Sequence, residues 1–189
     1  MNPGKKIVVY GPSGCGKSTF GKALGRALGV PAGELDALFH NAPDWKDASI
    51  EEFRESVQRE MDAHPEGWVF DGNYDPVADI LMAEADTAVW LRLPFRVVYP
   101  RLVRRTLMRA VSRELLWGTN RERWRDVLGP QSMLVWGISN WKAHHRKTRA
   151  RLHSAPPGVR IVVLRSAREV ARFLAAAAKR GVDERPSSE

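Results

Sequence analysis

One cysteine, Cys15, is the only thiol this 189-residue chain offers. That excludes an intramolecular disulfide framework and any multi-cysteine zinc site. No uninterrupted apolar run approaches the roughly 20 residues that span a bilayer, so no membrane-spanning segment, and no membrane partner held by one, is expected. The first ten residues hold a short apolar run that ends at glycine, unlike a secretory leader. The expected compartment is cytoplasmic. Acidic residues are also scarce where basic ones gather. Between Arg92 and Arg151 there are 15 Lys/Arg against 3 Asp/Glu, whereas the whole chain carries only +8. A block of this sign points to an anionic partner: a phosphorylated small molecule, nucleic acid or a membrane surface.

What is present fits one compact domain. Hydrophobic residues make up 43% of the chain, too many for a disordered segment. Ile7-Val8-Val9-Tyr10 reads as a buried strand ending at the glycine-rich stretch Gly11 to Gly16. Phe20, Ala23, Leu24, Ala27 and Leu28 then follow helical spacing until Gly29 and Pro31. A second strand is expected over 34–38. A helix from Ser49 to about Ala63 is marked by the capping box Ser49-Ile50-Glu51-Glu52. Trp68 to Asp71, Thr87 to Leu93 and Val159 to Leu164 supply three more strands. Helices are expected over 77–84, from Pro94 to about Leu115, from Gln131 to Leu152, and from Ser166 to Gly181. Alternating strands and helices imply an α/β fold with a mostly parallel sheet covered on both faces. Residues 1–181 form the expected domain, and 182–189 a disordered tail.

Gly11 to Ser18 satisfies the phosphate-loop pattern G-x-x-x-x-G-K-[ST] between a strand and a helix. Gly11, Gly14 and Gly16 let the backbone curl so that amides from Ser13, Cys15 and onward to Thr19 point at phosphate oxygens. The helix N-terminus adds partial positive charge. Lys17 reaches the β- and γ-phosphates of ATP, and Ser18 is a ligand for Mg2+. Cys15 is read as space-filling. Asp71 ends a strand, where ligands bind in open α/β sheets; it either holds magnesium, accepts an acceptor's proton or simply makes a turn before Gly72. Asp36, expected at the end of the second strand, either meets the phosphate acceptor, acts as its base or caps a helix.

On the long helix, Arg101, Arg105 and Arg109 share one face, either as a polyphosphate clamp or as a solvated stripe. Leu102, Leu107 and Val111 are expected to face the sheet. Further on, Lys142, Arg146, Lys147, Arg149 and Arg151 mix with Trp136, Trp141, His144 and His145. That mixture suits either nucleic-acid contact within 92–151 or, with the tryptophans in the core, an ordinary solvated helix end.

Gly11 to Thr19, Asp71-Gly72 and Arg101-Leu102-Val103-Arg104-Arg105 together resemble the nucleoside monophosphate kinase superfamily. Glu34 to Leu38, Trp68 to Tyr74 and Leu116 to Glu122 look more like a bacterial branch labelled adenylate-kinase-related or DNA-topology-modulation-like. The resemblance implies a P-loop NTPase three-layer sandwich, with a five-stranded parallel sheet in the order 2-3-1-4-5 and a helical lid at about 113–130. It implies Arg101 near adenine, Arg105 near the transferred phosphate, and Arg113 and Arg121 flanking the lid. Arg165 and Ser166 would contact the base, and much of 37–67 would form the acceptor region. Adenylate kinases continue Asp-Gly into Phe-Pro-Arg, whose arginine holds AMP. Here Asn73-Tyr74-Asp75 follows instead, so AMP is not the expected acceptor. The function implied is a Mg·ATP-dependent phosphotransferase acting on an unidentified small molecule. The alternative is a nucleotide-dependent nucleic-acid-binding or regulatory ATPase.

Overall fold

The computed structural model describes residues 4–40, 47–112, 129 and 132–183. Five strands, β1 (Lys6–Tyr10), β2 (Ala32–Glu34), β3 (Trp68–Asp71), β4 (Thr87–Leu91) and β5 (Arg160–Leu164), form one sheet in the order β2-β3-β1-β4-β5. Every neighbouring pair is parallel. This is the P-loop NTPase α/β fold expected from the sequence.

Among the described residues the helices are α1 (Lys17–Leu28), α2 (Leu35–Phe39), α3 (Ile50–Asp62), α4 (Ala78–Glu84), α5 (Phe95–Ser112), α6 (Met133–Ser139), α7 (Trp141–His153) and α8 (Ala167–Asp183). Successive side chains of a strand point to opposite faces, so a strand covered on both sides must be apolar throughout. Thus Ile7 and Val9 pack with Phe20, Leu24 and Phe173 on one face. Val8 and Tyr10 pack with Phe53, Val57, Met61 and Leu81 on the other. Among the described residues no helix is long and apolar enough to cross a membrane.

Several expectations need correction. The second strand covers 32–34, not 34–38, and Leu35 to Phe39 is helical. Leu35, Leu38 and Phe39 follow i, i+3, i+4 spacing rather than alternation, and Leu35 is buried. Asp36 therefore lies in the first turn of α2, not at a strand end. On α5 the buried stripe is Val98, Leu102, Thr106 and Ala110, while Leu107 is 39% and Val111 71% exposed. Five residues of helix rotate about 140°, so Leu107 cannot share the face of Leu102.

The single helix expected over 131–152 is two, divided at Asn140, whose side-chain amide donates back to the carbonyl of Trp136. Trp141 packs partly buried against Phe95, but Trp136 is 43% exposed rather than a core anchor. Finally, α8 continues through Gly181 to Asp183, and the rest of the expected tail lies outside the described residues. The capping box of α3 forms as expected, with Ser49 and Glu52 each bonding the other's backbone.

Candidate functional site

Because all five strands run the same way, their C-terminal ends share one edge of the sheet. There the loops after β1, β2 and β3 converge. The loop after β1 curls through Gly14 (φ +85°) and Gly16 (φ +93°), left-handed conformations that favour glycine. Cys15 N–H donates to the Pro12 carbonyl and tightens the turn. Gly14 is also pressed on α5: a Cβ there would lie 2.8 Å from the Cβ of Leu102. Gly14→Ala is therefore expected to displace the loop and weaken ATP binding at least tenfold, as a titration with a fluorescent ATP analogue would read. Unchanged affinity would mean that the loop tolerates the shift.

Helix α1 begins immediately after the loop. Gly16 supplies no side-chain cap and the first turn has no acidic residue. The orphan amides and the helix dipole thus face the loop without a competing internal anion. Lys17 Nζ donates to the carbonyls of Gly11 (2.9 Å) and Pro12 (3.4 Å), which holds its ammonium over the cradle.

Ser18 Oγ lies 3.4 Å from Asp71 Oδ1. Asp71 is only 5% exposed, and burial pushes its carboxyl up from 3.8 to about 7. The Lys17 charge and the Ser18 hydroxyl oppose that rise, and the carboxylates of Glu34 and Asp36 reinforce it. A hydroxyl beside a buried carboxyl is an all-oxygen pair, the donor chemistry that a hard cation such as Mg2+ takes. The residues present therefore fit a Mg·nucleotide: amides and Lys17 for phosphates, Ser18 and Asp71 for the metal.

A second polar cluster adjoins this one. Tyr74 O–H donates to Asp36 Oδ1 at 2.8 Å and lies 3.3 Å from His40 Nε2. His40 Nδ1 is 2.7 Å from Asp47 Oδ1. The rings of Phe39, Phe53 and Tyr74 meet at centroid distances near 5 Å and form an apolar wall. Burial first, and then the charge of Asp36, raise the Tyr74 phenol, so it stays a donor. Nearby cations are engaged: Arg54 makes two bonds to Asp79, and both Lys147 and Arg151 contact Asp75. Of the basic block Arg151 is thus largely covered, while Lys147, like Lys142, Arg146 and Arg149, stays exposed.

The structure brings Lys17, Ser18, Asp71 and Asp36 to one edge of the sheet. Arg105 is close enough to the loop for its charge to act on Cys15, which is buried and whose thiol burial pushes up. Gly11 is buried, Ser13 half-buried and Thr19 exposed. Arg101 and Arg165 are exposed; Arg165 N–H bonds Glu169, and Ser166 caps α8 by accepting from Glu169 N–H. Arg113 and Arg121, with the expected lid apart from Gly129, lie outside the described residues.

Sequence reasoning missed Tyr74 as the partner of Asp36, Asn73 as the partner of Gly11, and His144. That imidazole sits in a pocket lined also by Pro12, Ser13, Tyr99 and Leu102. Burial, and then the Lys17 charge, lower it to about 4, so it is neutral beside the phosphate loop. Among the described residues no group of three or more His, Cys, Asp or Glu side chains is placed to hold a metal ion.

Solved structures similar to this chain include a gluconokinase from Sinorhizobium meliloti 1021, at 22% identity and TM-score 0.51. That match covers 96% of this chain and 93% of the other. A shikimate kinase from Acinetobacter baumannii, in complex with shikimate, matches at 16% identity and TM-score 0.56, over 99% of this chain and 97% of that one. At these identities the likeness is one of fold. No curated protein matches the sequence. A family profile described as an AAA domain matches residues 7–122. That span takes in β1, the phosphate loop, Asp71 and the arginine-bearing α5, and by it the chain belongs to the AAA domain family.

Proposed function

We propose that this protein is a Mg·ATP-dependent phosphotransferase that moves the γ-phosphate to a hydroxyl of a small-molecule acceptor, and that it is not a typical adenylate kinase. One observation carries this reading: the Lys17–Ser18–Asp71 cluster adjoins the Asp36–Tyr74–His40 cluster closely enough for Asp36 to act on Asp71. A nucleotide site beside a second polar site is what transfer between two substrates requires.

In this reading the amides from Gly11 to Thr19 hold phosphates, and Lys17 stabilises charge on the β- and γ-phosphates. Ser18 and Asp71 hold Mg2+, which supplies charge neutralisation on the polyphosphate when bound. Asp36 or Asp71 orients the acceptor hydroxyl and takes its proton. Arg101, Arg165 and Ser166 serve the base, Arg105 the transferred phosphate, and Arg113 and Arg121 a lid that excludes water. The acceptor region is 37–67 together with Tyr74.

The acceptor end of the site disfavours AMP. Asp75 stands where the adenylate kinase pattern has its AMP-holding arginine, and it engages Lys147 and Arg151. The likeness to gluconokinase and shikimate kinase makes hydroxyl-rich acceptors the first to try. ADP release measured across nucleosides, nucleotides, sugars and hydroxy acids is expected to rise with one hydroxyl compound at least tenfold more than with AMP. ADP release independent of every acceptor would leave an ATPase, and AMP as the best acceptor would restore an adenylate kinase.

A further inference from the structure

Loop residues that no phosphate touches still decide where the phosphate-binding groups stand. In the β1–β3 pair Val9 is in register with Asp71, so Gly11 and Asn73 lie two residues beyond matched positions on adjacent parallel strands. Gly72 N–H bonds the Val9 carbonyl at 3.2 Å and carries the pairing one step past β3. The Asn73 side chain then takes both polar groups of Gly11. Its Oδ1 accepts from Gly11 N–H at 3.2 Å, and its Nδ2 donates to the Gly11 carbonyl at 2.8 Å. That carbonyl is also the nearer acceptor of Lys17 Nζ, at 2.9 Å.

The opposite side of Gly11 is closed as well. A Cβ there would lie 2.6 Å from Cys15 Sγ and 3.1 Å from the Leu91 carbonyl. Gly11 is therefore gripped between Asn73 and the Cys15–Leu91 wall, and Lys17 hangs from its carbonyl. A side-chain amide is suited to this grip because it accepts and donates at once, which a carboxylate of the same shape cannot do.

We infer that Asn73 is a positioning residue for the Lys17 ammonium, acting through the peptide of Gly11; this rests on reading the loop as a nucleotide phosphate site. Both polar atoms of the Asn73 amide are spent on Gly11. Asn73 also ties that loop to the acceptor end, because the same short stretch presents Asp71 to Ser18 and Tyr74 to Asp36.

The test is a double-mutant cycle on ATP affinity, read with a fluorescent ATP analogue and with the melting temperature of each variant. Asn73→Ala is expected to weaken binding about tenfold, the scale of a misplaced hydrogen bond to a charged group. In a Lys17→Ala background the same change is expected to cost less than twofold, because the lysine it positions is gone. Equal losses in both backgrounds would make Asn73 a general prop of the loop and overturn the inference; so would wild-type affinity in the single variant. If Asn73→Ala does not fold, Asn73→Asp keeps an acceptor for Gly11 N–H but loses the donor to its carbonyl. It is expected to bind ATP at least tenfold more weakly, and wild-type binding by that variant would also overturn the inference. Failure of the wild type itself to bind ATP, or an undiminished affinity in Lys17→Ala, would instead remove the nucleotide reading, and the inference with it.

Discussion

Lys17→Ala is expected to lower Mg·ATP turnover by about two to three orders of magnitude while leaving the melting temperature nearly unchanged. The small effect on stability follows from what the lysine touches. Among the described residues its ammonium bonds the Gly11 and Pro12 carbonyls, which lie on a loop at the sheet edge and not in either core cluster. The large effect on turnover follows from charge. Phosphoryl transfer concentrates negative charge on the migrating group, and a fixed ammonium in a partly buried site opposes that charge far better than water does. His144, neutral beside the loop, cannot substitute for it. ADP release in a coupled assay, with melting followed in parallel, checks both halves. Wild-type-like turnover in the alanine variant would mean that the cradle is not where ATP reacts.

Much of this site was open to reading because the chemistry and the local structure share the same residues. Ile7-Val8-Val9-Tyr10 must be apolar throughout to be buried on both faces, and the glycines that follow must permit left-handed turns. Asp71 was placed correctly for the same reason, at the end of an apolar run.

Where the signal failed, tertiary contacts outweighed local pattern. The strand Ala32-Gly33-Glu34 has no β-branched residue and exists because β3 pairs with it, so the sequence signal drifted onto the next apolar residues. Leu107 and Val111 read as core residues by type, yet the i, i+4 row through Leu102 packs and they do not. Tyr74–Asp36 and Arg54–Asp79 join residues 38 and 25 positions apart, and nothing in local spacing announces either contact. Asn73 is the intermediate case. Once β1 and β3 are known to be parallel neighbours in register at Val9 and Asp71, its meeting with Gly11 follows from counting two residues along each strand.

Asp71→Asn is expected to separate stability from function, and pH gives the signature. The Asp71 carboxyl is raised from 3.8 to about 7 in the folded chain, chiefly by burial. Between those values the folded state keeps a proton that the unfolded state has released. The group's contribution to stability is therefore full below about pH 4 and lost as pH rises through 7. At pH 8 the wild type carries a buried carboxylate, at a cost of about 4 kcal/mol at most for a shift of this size. Asparagine keeps the shape without the charge, so the variant is expected to melt about 5 °C or more above the wild type at pH 8. Below about pH 4, where Asp71 is protonated in both the folded and the unfolded chain, the two should melt within about 1 °C of each other, and the gap should open steadily as pH rises from there. Turnover moves the other way: without a carboxylate to complete the Ser18 pair, Mg·ATP-dependent ADP release should fall at least a hundredfold at pH 8. A stabilised but inactive protein is the mark of a charge kept at a structural cost for what it binds. Equal melting shifts at both pH values would show that burial does not hold the carboxyl in its protonated form, and full turnover would remove Asp71 from the metal site.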